Sequence, residues 1–323
     1  MSRRGSVLIV VVWVVTLLSL LVAGLGSQGV FALGLTDRLD DQLRLSYAAR
    51  GGLTAALTLL AQDSSPSFDG TNEPWVEDEE TFARQPVGEA WVTVGYPKPD
   101  GSGTRYGVID EDRKLNLNTA PEEALERLLI LAAGLRRDEA DRLTDAILDW
   151  RDADREQRPY GAEDFYYSGY ESKDGPFENL EELLLVRAMS PAIAARILPS
   201  LTVYGSGAVN VNTAEPVVLQ ALGLSKTGVN GLVLYRLGED NREATTDDRV
   251  LASPAAFSGG ELASYVPAED VNRLTQLAQD GVVGVRSEAF RVSITAEAED
   301  ARHPLAMECV MDRKGRIAFF AEH

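Results

Sequence analysis

The densest group of chemically competent side chains is LDWRDADREQRPYGAEDFYY, residues 148–167. Asp152, Asp154, Glu156 and Glu163 fall at positions 1, 3, 5 and 12 of a loop, the oxygen-ligand spacing of an EF-hand. Two departures argue against a true EF-hand: Gln157 stands where a glycine is wanted, and Pro159 disturbs the end of the loop. An irregular calcium loop fits the same carboxylates better. A hard cation takes several oxygens at about 2.3–2.6 Å. Asp149, Asp152, Asp154, Glu163 and Asp164 supply them in a short, turn-rich segment. Imidazole and thiolate, which zinc prefers, are absent from it. The alternative is a solvated acidic loop with Arg151 and Arg155 as ion-pair partners, and spacing alone does not choose. The acidic runs EDEE (77–80) and DED (110–112) read as solvated faces.

Little else points to catalysis. The histidines are His303 and His323, and neither a nucleophile elbow nor a phosphate-binding loop appears. GSGTRYG (101–107) lies between two strand-like runs and reads as a hairpin turn. The cysteine, Cys309, sits in an alternating segment and reads as a small buried hydrophobe. The chain is therefore not expected to be an enzyme. Its net charge of -19 argues against binding phosphate backbones, where affinity comes largely from Lys and Arg displacing counterions. Nucleic acid is not an expected partner.

The elements around the acidic loop follow from periodicity. Val7–Leu25 is uncharged and interrupted only by Thr16 and Ser19. At 1.5 Å per residue it spans about 29 Å, close to the apolar thickness of a bilayer. Arg3 and Arg4 precede it and a net acidic flank follows, so the N-terminus is expected in the cytoplasm and the remainder outside the inner membrane. Residues 36–62 continue helically, with Leu39, Leu43, Tyr47, Leu53, Leu57 and Leu60 at three- and four-residue steps. SSPSFDGTNEP (64–74) breaks that helix. Residues 89–97 and 104–111 alternate like strands, and 288–298, 304–312 and 316–322 read as an antiparallel meander. A helical block fills about 119–285.

That block repeats itself. KLNLNTAPEEALERLL (114–129) matches AVNVNTAEPVVLQALG (208–223). Each copy predicts a strand end, a Thr cap (Thr119, Thr213) and a proline in the first helical turn. Glu122 would complete a capping box with Thr119. The two strand ends could lie parallel on one sheet. Paired short helices also fit helix-hairpin-helix modules, with LGLSKTGVN (222–230) as the better glycine turn.

These residues resemble a family. Basic residues, a glycine and then an uninterrupted apolar helix (RRGSVLIVVV) are the class III prepilin pattern. The Asn-x-Asn-Thr-Ala repeats, DWRDAD…GAEDFYY and GPFENLEELLLV…LTVYGSG resemble the minor pseudopilin K family of type II secretion. The resemblance implies an α+β, pilin-like fold: a long N-terminal transmembrane helix, a small antiparallel sheet and a large inserted helical domain. The corresponding organisation is a leader (1–5), a transmembrane and stem helix (6–62), a first sheet part (63–118), the insertion (119–285, with the repeat at 208–223) and C-terminal strands (286–323). It also implies calcium near the acidic cluster, cleavage by prepilin peptidase between Gly5 and Ser6, and assembly with minor pseudopilins I and J and the major pseudopilin. The expected role is to cap the pseudopilus tip, start its assembly and limit its length during export of folded periplasmic proteins. The assembly glutamate usual five residues after the cut is replaced by Val10. Competing readings are a membrane-anchored DNA-uptake protein and a minor pilin of a type IV pilus. The mature chain is expected to begin at Ser6, and Gly5→Leu to leave an uncut precursor. N-terminal sequencing that returned Met1 from assembled protein would contradict this.

Overall fold

The computed structural model describes residues 3–63, 67–98, 101–301 and 303–323. Helix α1 (Arg3–Ala61) is continuous over 59 residues, or about 88 Å. The stem is helical as predicted, but only part of the predicted face is buried. Leu45, Ala49, Gly52, Ala56 and Leu60 are buried, whereas Leu39, Leu43 and Tyr47 are exposed. The cause is close approach to the sheet. A Cβ at Gly52 would stand 2.7 Å from a methyl of Val92, so small residues line the closest approach, with Leu45 and Leu60 buried on either side and Leu53 and Leu57 packed against the core. The apolar side chains from Val7 to Val22 are also exposed. Among the described residues no helix is long and apolar enough to cross a membrane. The span predicted for Val7–Leu25 ends beyond the described side chains, and the junction at Gly5 and Ser6 lies outside them too.

After α1 come α2 (Glu79–Phe82), β1 (Gln85–Val87), β2 (Ala90–Val94), β3 (Tyr96–Pro97), β4 (Thr104–Arg105) and β5 (Ile109–Asp110). The strand predicted over 104–111 is thus reduced to two short pieces. Its backbone is satisfied elsewhere: Val108 N–H donates to Trp75 O, and Tyr106 O accepts from Asp78 N–H, both at 2.8 Å. The insertion then runs β6 (Leu115–Asn116), α3 (Glu122–Ala133), α4 (Arg137–Arg151), α5 (Pro191–Ile197), β7 (Leu201–Thr202), β8 (Val209–Asn210), α6 (Pro216–Ala221), α7 (Lys226–Arg236), α8 (Ala268–Gln279) and β9 (Val283–Gly284). The chain returns as β10 (Phe290–Glu297), β11 (Leu305–Met311) and β12 (Ile317–Glu322). The sheet order is β1-β2-β10-β11-β12, with β5 also on β10. Its pairs are antiparallel, which confirms the C-terminal meander. One apolar core lies between α1 and this sheet, and a second fills the insertion.

The repeat is real but is built differently from the expectation. β6 pairs in parallel with β7, and β8 in parallel with β9. The copies therefore occupy separate ladders rather than one sheet, and the inserted unit begins at Leu115, ahead of residue 119. Neither threonine caps its helix. Pro121 and Glu215 hold the cap positions without a side-chain bond. Thr119 Oγ1 donates to Gly207 O, and Thr213 Oγ1 donates to Asp110. The asparagines make the turn instead: Asn116 Oδ1 accepts from Asn118 N–H at 2.9 Å, and Asn210 Oδ1 from Asn212 N–H at 3.0 Å. The second asparagine of each copy clamps a returning loop. Asn118 exchanges two bonds with the backbone of Phe177, and Asn212 two with Leu251. Only an amide offers donor and acceptor together in this way. Each following hairpin ends in an arginine that reaches back: Arg151 to Leu117 O and Ala120 O, Arg236 to Val211 O and Ala214 O.

The DED turn corrects the sequence reading most sharply. Asp110, Glu111 and Asp112 are all buried. Asp110 Oδ2 accepts from Thr213 Oγ1 (2.5 Å), Ser287 Oγ (2.6 Å) and Asn210 Nδ2 (3.3 Å). Glu111 accepts from Thr202, Lys114 and Arg291. Asp112 accepts from the backbone of Ser206, Glu288 and Ala289. Burial would raise the pKa of Glu111, but Lys114 and Arg291 outweigh it and hold the group below its ordinary value. Its contribution to stability is therefore present above the ordinary carboxylate range and lost as the pH falls through the lower folded value. Asp110→Ala should cost about 1–3 kcal/mol of stability by leaving the buried donors of Thr213, Ser287 and Asn210 without their acceptor. Of the EDEE run, Glu77 pairs with Lys98 and Asp78 caps α2, and only Glu79 and Glu80 are exposed; Glu80→Ala should stay within about 0.5 kcal/mol. Urea unfolding of both variants gives the comparison.

Candidate metal site

Helix α4 carries the first residues of the acidic cluster. Its Ala140, Leu143 and Ile147 are buried in the insertion's core, which fixes how its last turn presents Asp149, Trp150 and Arg151. Trp150 packs edge-on against Tyr167 at 5.4 Å and lies beside Phe177. Asp152 ends the helix, its N–H donating to Leu148 O. The loop between this point and the Asn118 clamp on Phe177 holds the other carboxylates.

Asp149 is fully buried and accepts from Arg158 N–H at 3.2 Å, with Gly161 pressed so close that no side chain would fit there. Asp154 is exposed and accepts from Glu156 N–H at 2.8 Å. Asp164 accepts from Ser172 N–H at 2.8 Å. Glu163 is buried, and among the described residues neither of its oxygens has a hydrogen-bond partner. One buried oxygen of Asp152 and one of Asp174 are also without a partner. Burial, then the charges of Asp174, Asp149, Asp152 and Asp164, push the Glu163 pKa up to about 7. Burial and neighbouring carboxylates raise Asp149 and Asp152 as well.

Asp149, Asp152 and Glu163 thus share one field, with Asp164 adding to it and Asp154 felt through Asp152. Asp174 and Asp145 belong here too and were missed. Asp145 accepts from Tyr160 N–H at 2.9 Å. Asp174 sits at positive φ (47°), and the turn sequence KDG (173–175) was its only local signal. Orphaned, buried, mutually repelling carboxylate oxygens fit a hard cation. Asp152, Glu163 and Asp174 are the residues that would hold it, but their oxygens do not all lie within 4.8 Å of one another, and chain cations share the field: Arg155 pairs with Asp174 at 3.1 Å, and Arg158 lies 3.8 Å from Asp145 and 4.0 Å from Asp149.

Among the described residues, the acidic oxygens that approach within 4.8 Å of one another are elsewhere, on Asp63, Asp69 and Glu73. There too the chain itself supplies positive charge. Arg313 pairs with Asp63 at 3.0 Å and with Asp69. Burial, opposed by the Gly70 N–H but reinforced by Asp63, pushes the Glu73 pKa up to about 8. The glycine turn considered for DNA is likewise occupied. Arg127 and Arg273 donate to Ala221 O and Leu222 O around Gly223.

The part of the chain that carries the DED turn, the first repeat and the carboxylate loop is also the part that known proteins share. A family described as type II secretion system (T2SS), protein K matches residues 108–206. The type II secretion system protein K of Pseudomonas aeruginosa is 29% identical over 237 residues, 68% of each chain. That of Klebsiella pneumoniae is 24% identical and covers 97% of this chain and 94% of its own. The chain is a relative of type II secretion system protein K. The protein K relationship extends to architecture. A chain of the crystal structure of the GspK-GspI-GspJ complex from enterotoxigenic Escherichia coli matches with a TM-score of 0.66 over 90% of this chain and 99% of that one. At 17% identity, that likeness concerns the fold.

Glu163→Gln should raise the melting temperature of the chelator-treated protein at about pH 8 by about 2 °C or more, because it removes a buried charge among like charges. Thermal melts of the two proteins in chelator check this. A lower melting temperature in the variant would show that Glu163 is stabilised by a partner within the chain.

Proposed function

We propose that this protein is a minor pseudopilin that caps a type II secretion pseudopilus, starts its assembly and limits its length. The observation that carries the reading is the insertion of the whole 115–284 unit between β5 and β10, strands that pair with one another on a pilin-like sheet. Such bulk is compatible with open space at a tip and would obstruct a subunit stacked above. Val10 supports the same position. A carboxylate in a bilayer core costs about 2.5–3.5 kcal/mol and is tolerable where it gains a partner. A first subunit has no amine above it to provide one, so an apolar residue is favoured.

The remaining parts of the reading follow from the N-terminus and the names of similar proteins. Val7–Leu25 anchors the chain once in the inner membrane, with the N-terminus cytoplasmic, after cleavage between Gly5 and Ser6. The exposed stripe of Leu39, Leu43 and Tyr47 continues toward the membrane and provides a face for neighbouring pseudopilin helices. Pseudopilins I and J are the proposed partners, since the similar structure is a complex of those components, together with the major pseudopilin. Calcium orders the loop carrying Asp149, Asp152, Asp154, Glu163 and Asp164. The role is structural rather than enzymatic.

Labelled antibody should mark one end of pseudopili formed when the major subunit is overproduced, and decoration along the length would contradict the tip assignment. Millimolar calcium should raise the melting temperature, because a ligand bound only by the native state stabilises it. Asp152→Ala with Asp154→Ala should abolish the shift. Absence of a shift in the unmodified protein would remove calcium from the account without touching the tip role.

A further inference from the structure

A cleft of about 570 Å³ opens between the β11–β12 hairpin and the inserted domain. Val203, Val310 and Ala318 give it an apolar component, and Arg286, Lys314 and Arg316 bring positive charge to it. Arg286 and Lys314 are exposed, and among the described residues neither side chain has an ion-pair or hydrogen-bond partner. Arg316 pairs only within its own turn, with Asp312 at 2.5 Å. Arg313, also at the cleft, is committed to Asp63, Asp69 and Leu60 O. Glu288 and Asp312 are the acidic residues of the lining. Two uncommitted cations stand beside an apolar surface in a chain of net charge -19.

The cleft adjoins an incomplete sheet edge. β12 is the terminal strand of its sheet, and its Ile317 and Ala318 line the cleft. Ile317 and Phe320 are exposed at 54% and 43%. An unpaired edge presents backbone donors and acceptors to an added strand. A long polyanion such as nucleic acid would meet repulsion from the rest of this acidic surface. A short segment with a few carboxylates and an apolar residue would meet only the local cations, the apolar surface and the open edge.

We propose that the cleft and the free edge of β12 bind an extended segment of a partner polypeptide, one that carries carboxylates beside an apolar side chain. The test uses the full-length chain in zwitterionic detergent and a labelled peptide alternating glutamate and valine, read by fluorescence anisotropy. The peptide should bind, and binding should weaken with added salt. Arg286→Glu with Lys314→Glu should weaken it by at least about tenfold, with the melting temperature unchanged because both side chains are exposed and unpaired. A peptide alternating lysine and valine should not bind. The proposal is overturned by absence of binding, by equal binding of the lysine peptide, or by binding indifferent to the double charge reversal. Complete displacement by millimolar inorganic phosphate, or capture of anionic lipid vesicles through the same two residues, would also overturn it, since either would make the cleft a general anion site.

Discussion

Everything beyond the antiparallel sheet depends on three consecutive buried carboxylates. Asp110, Glu111 and Asp112 stand where the chain leaves β5 for the insertion, and their acceptor oxygens face different bodies. Asp110 binds the second repeat through Asn210 and Thr213. Glu111 binds β7, the ladder partner of the first repeat, through Thr202 and the sheet through Arg291. Asp112 binds the link between β7 and β8 through Ser206 and the start of β10 through Ala289. An ionised carboxylate in such a place is costly unless its lone pairs are filled. Filling them requires the insertion, its return strand and the sheet to be in register together. A loosely tethered domain would leave these groups stranded; Lys114 and Arg291 outweigh burial at Glu111, whereas burial still pushes Asp110 and Asp112 up, the latter to about 7.

The insertion applies one local device twice. An Asx turn starts each helix, an amide clamps the returning loop, and an arginine at the end of the helical hairpin ties back to the carbonyls of the turn. The first copy uses its returning loop for the crowded carboxylates around Glu163. The second contains Asp240, Asp247 and Asp248, but its charges are met differently: Asp247 accepts from the backbone of Glu239 and Asp240, and Asp248 from Ala244 N–H. The difference between the loops is therefore one of satisfaction rather than composition. Orphaned oxygens, not acidic residues as such, single out the loop after α4.

Local order was legible in the sequence and long-range partnership was not. The C-terminal meander, the stem helix and the strand–turn–helix form of the repeats were readable from periodicity and turn residues. The DED turn was misread because its partners, such as Thr213, Ser287 and Arg291, lie about a hundred residues or more away along the chain. The stem's face was read correctly at Leu53, Leu57 and Leu60 but not at Leu39, Leu43 and Tyr47, which are exposed, and Gly52 and Ala56 were overlooked because the closeness of β2 requires small residues there. Thr119 and Thr213 had the composition of helix caps, but the neighbouring asparagines took over the turn and freed the hydroxyls for distant acceptors. Asp152 and Glu163 were singled out by loop spacing and Asp149 by its place in the same turn-rich segment, while Asp174 was not, because it arrives from the far side of the loop.

A capping subunit is set apart from every other pilin-like subunit by its stoichiometry. The most direct measurement is a count of fluorescently labelled copies of this protein on single pseudopili of different lengths. The account predicts one copy per filament whatever the length. A copy number that rises in proportion to length would contradict it and would place the protein in the body of the filament.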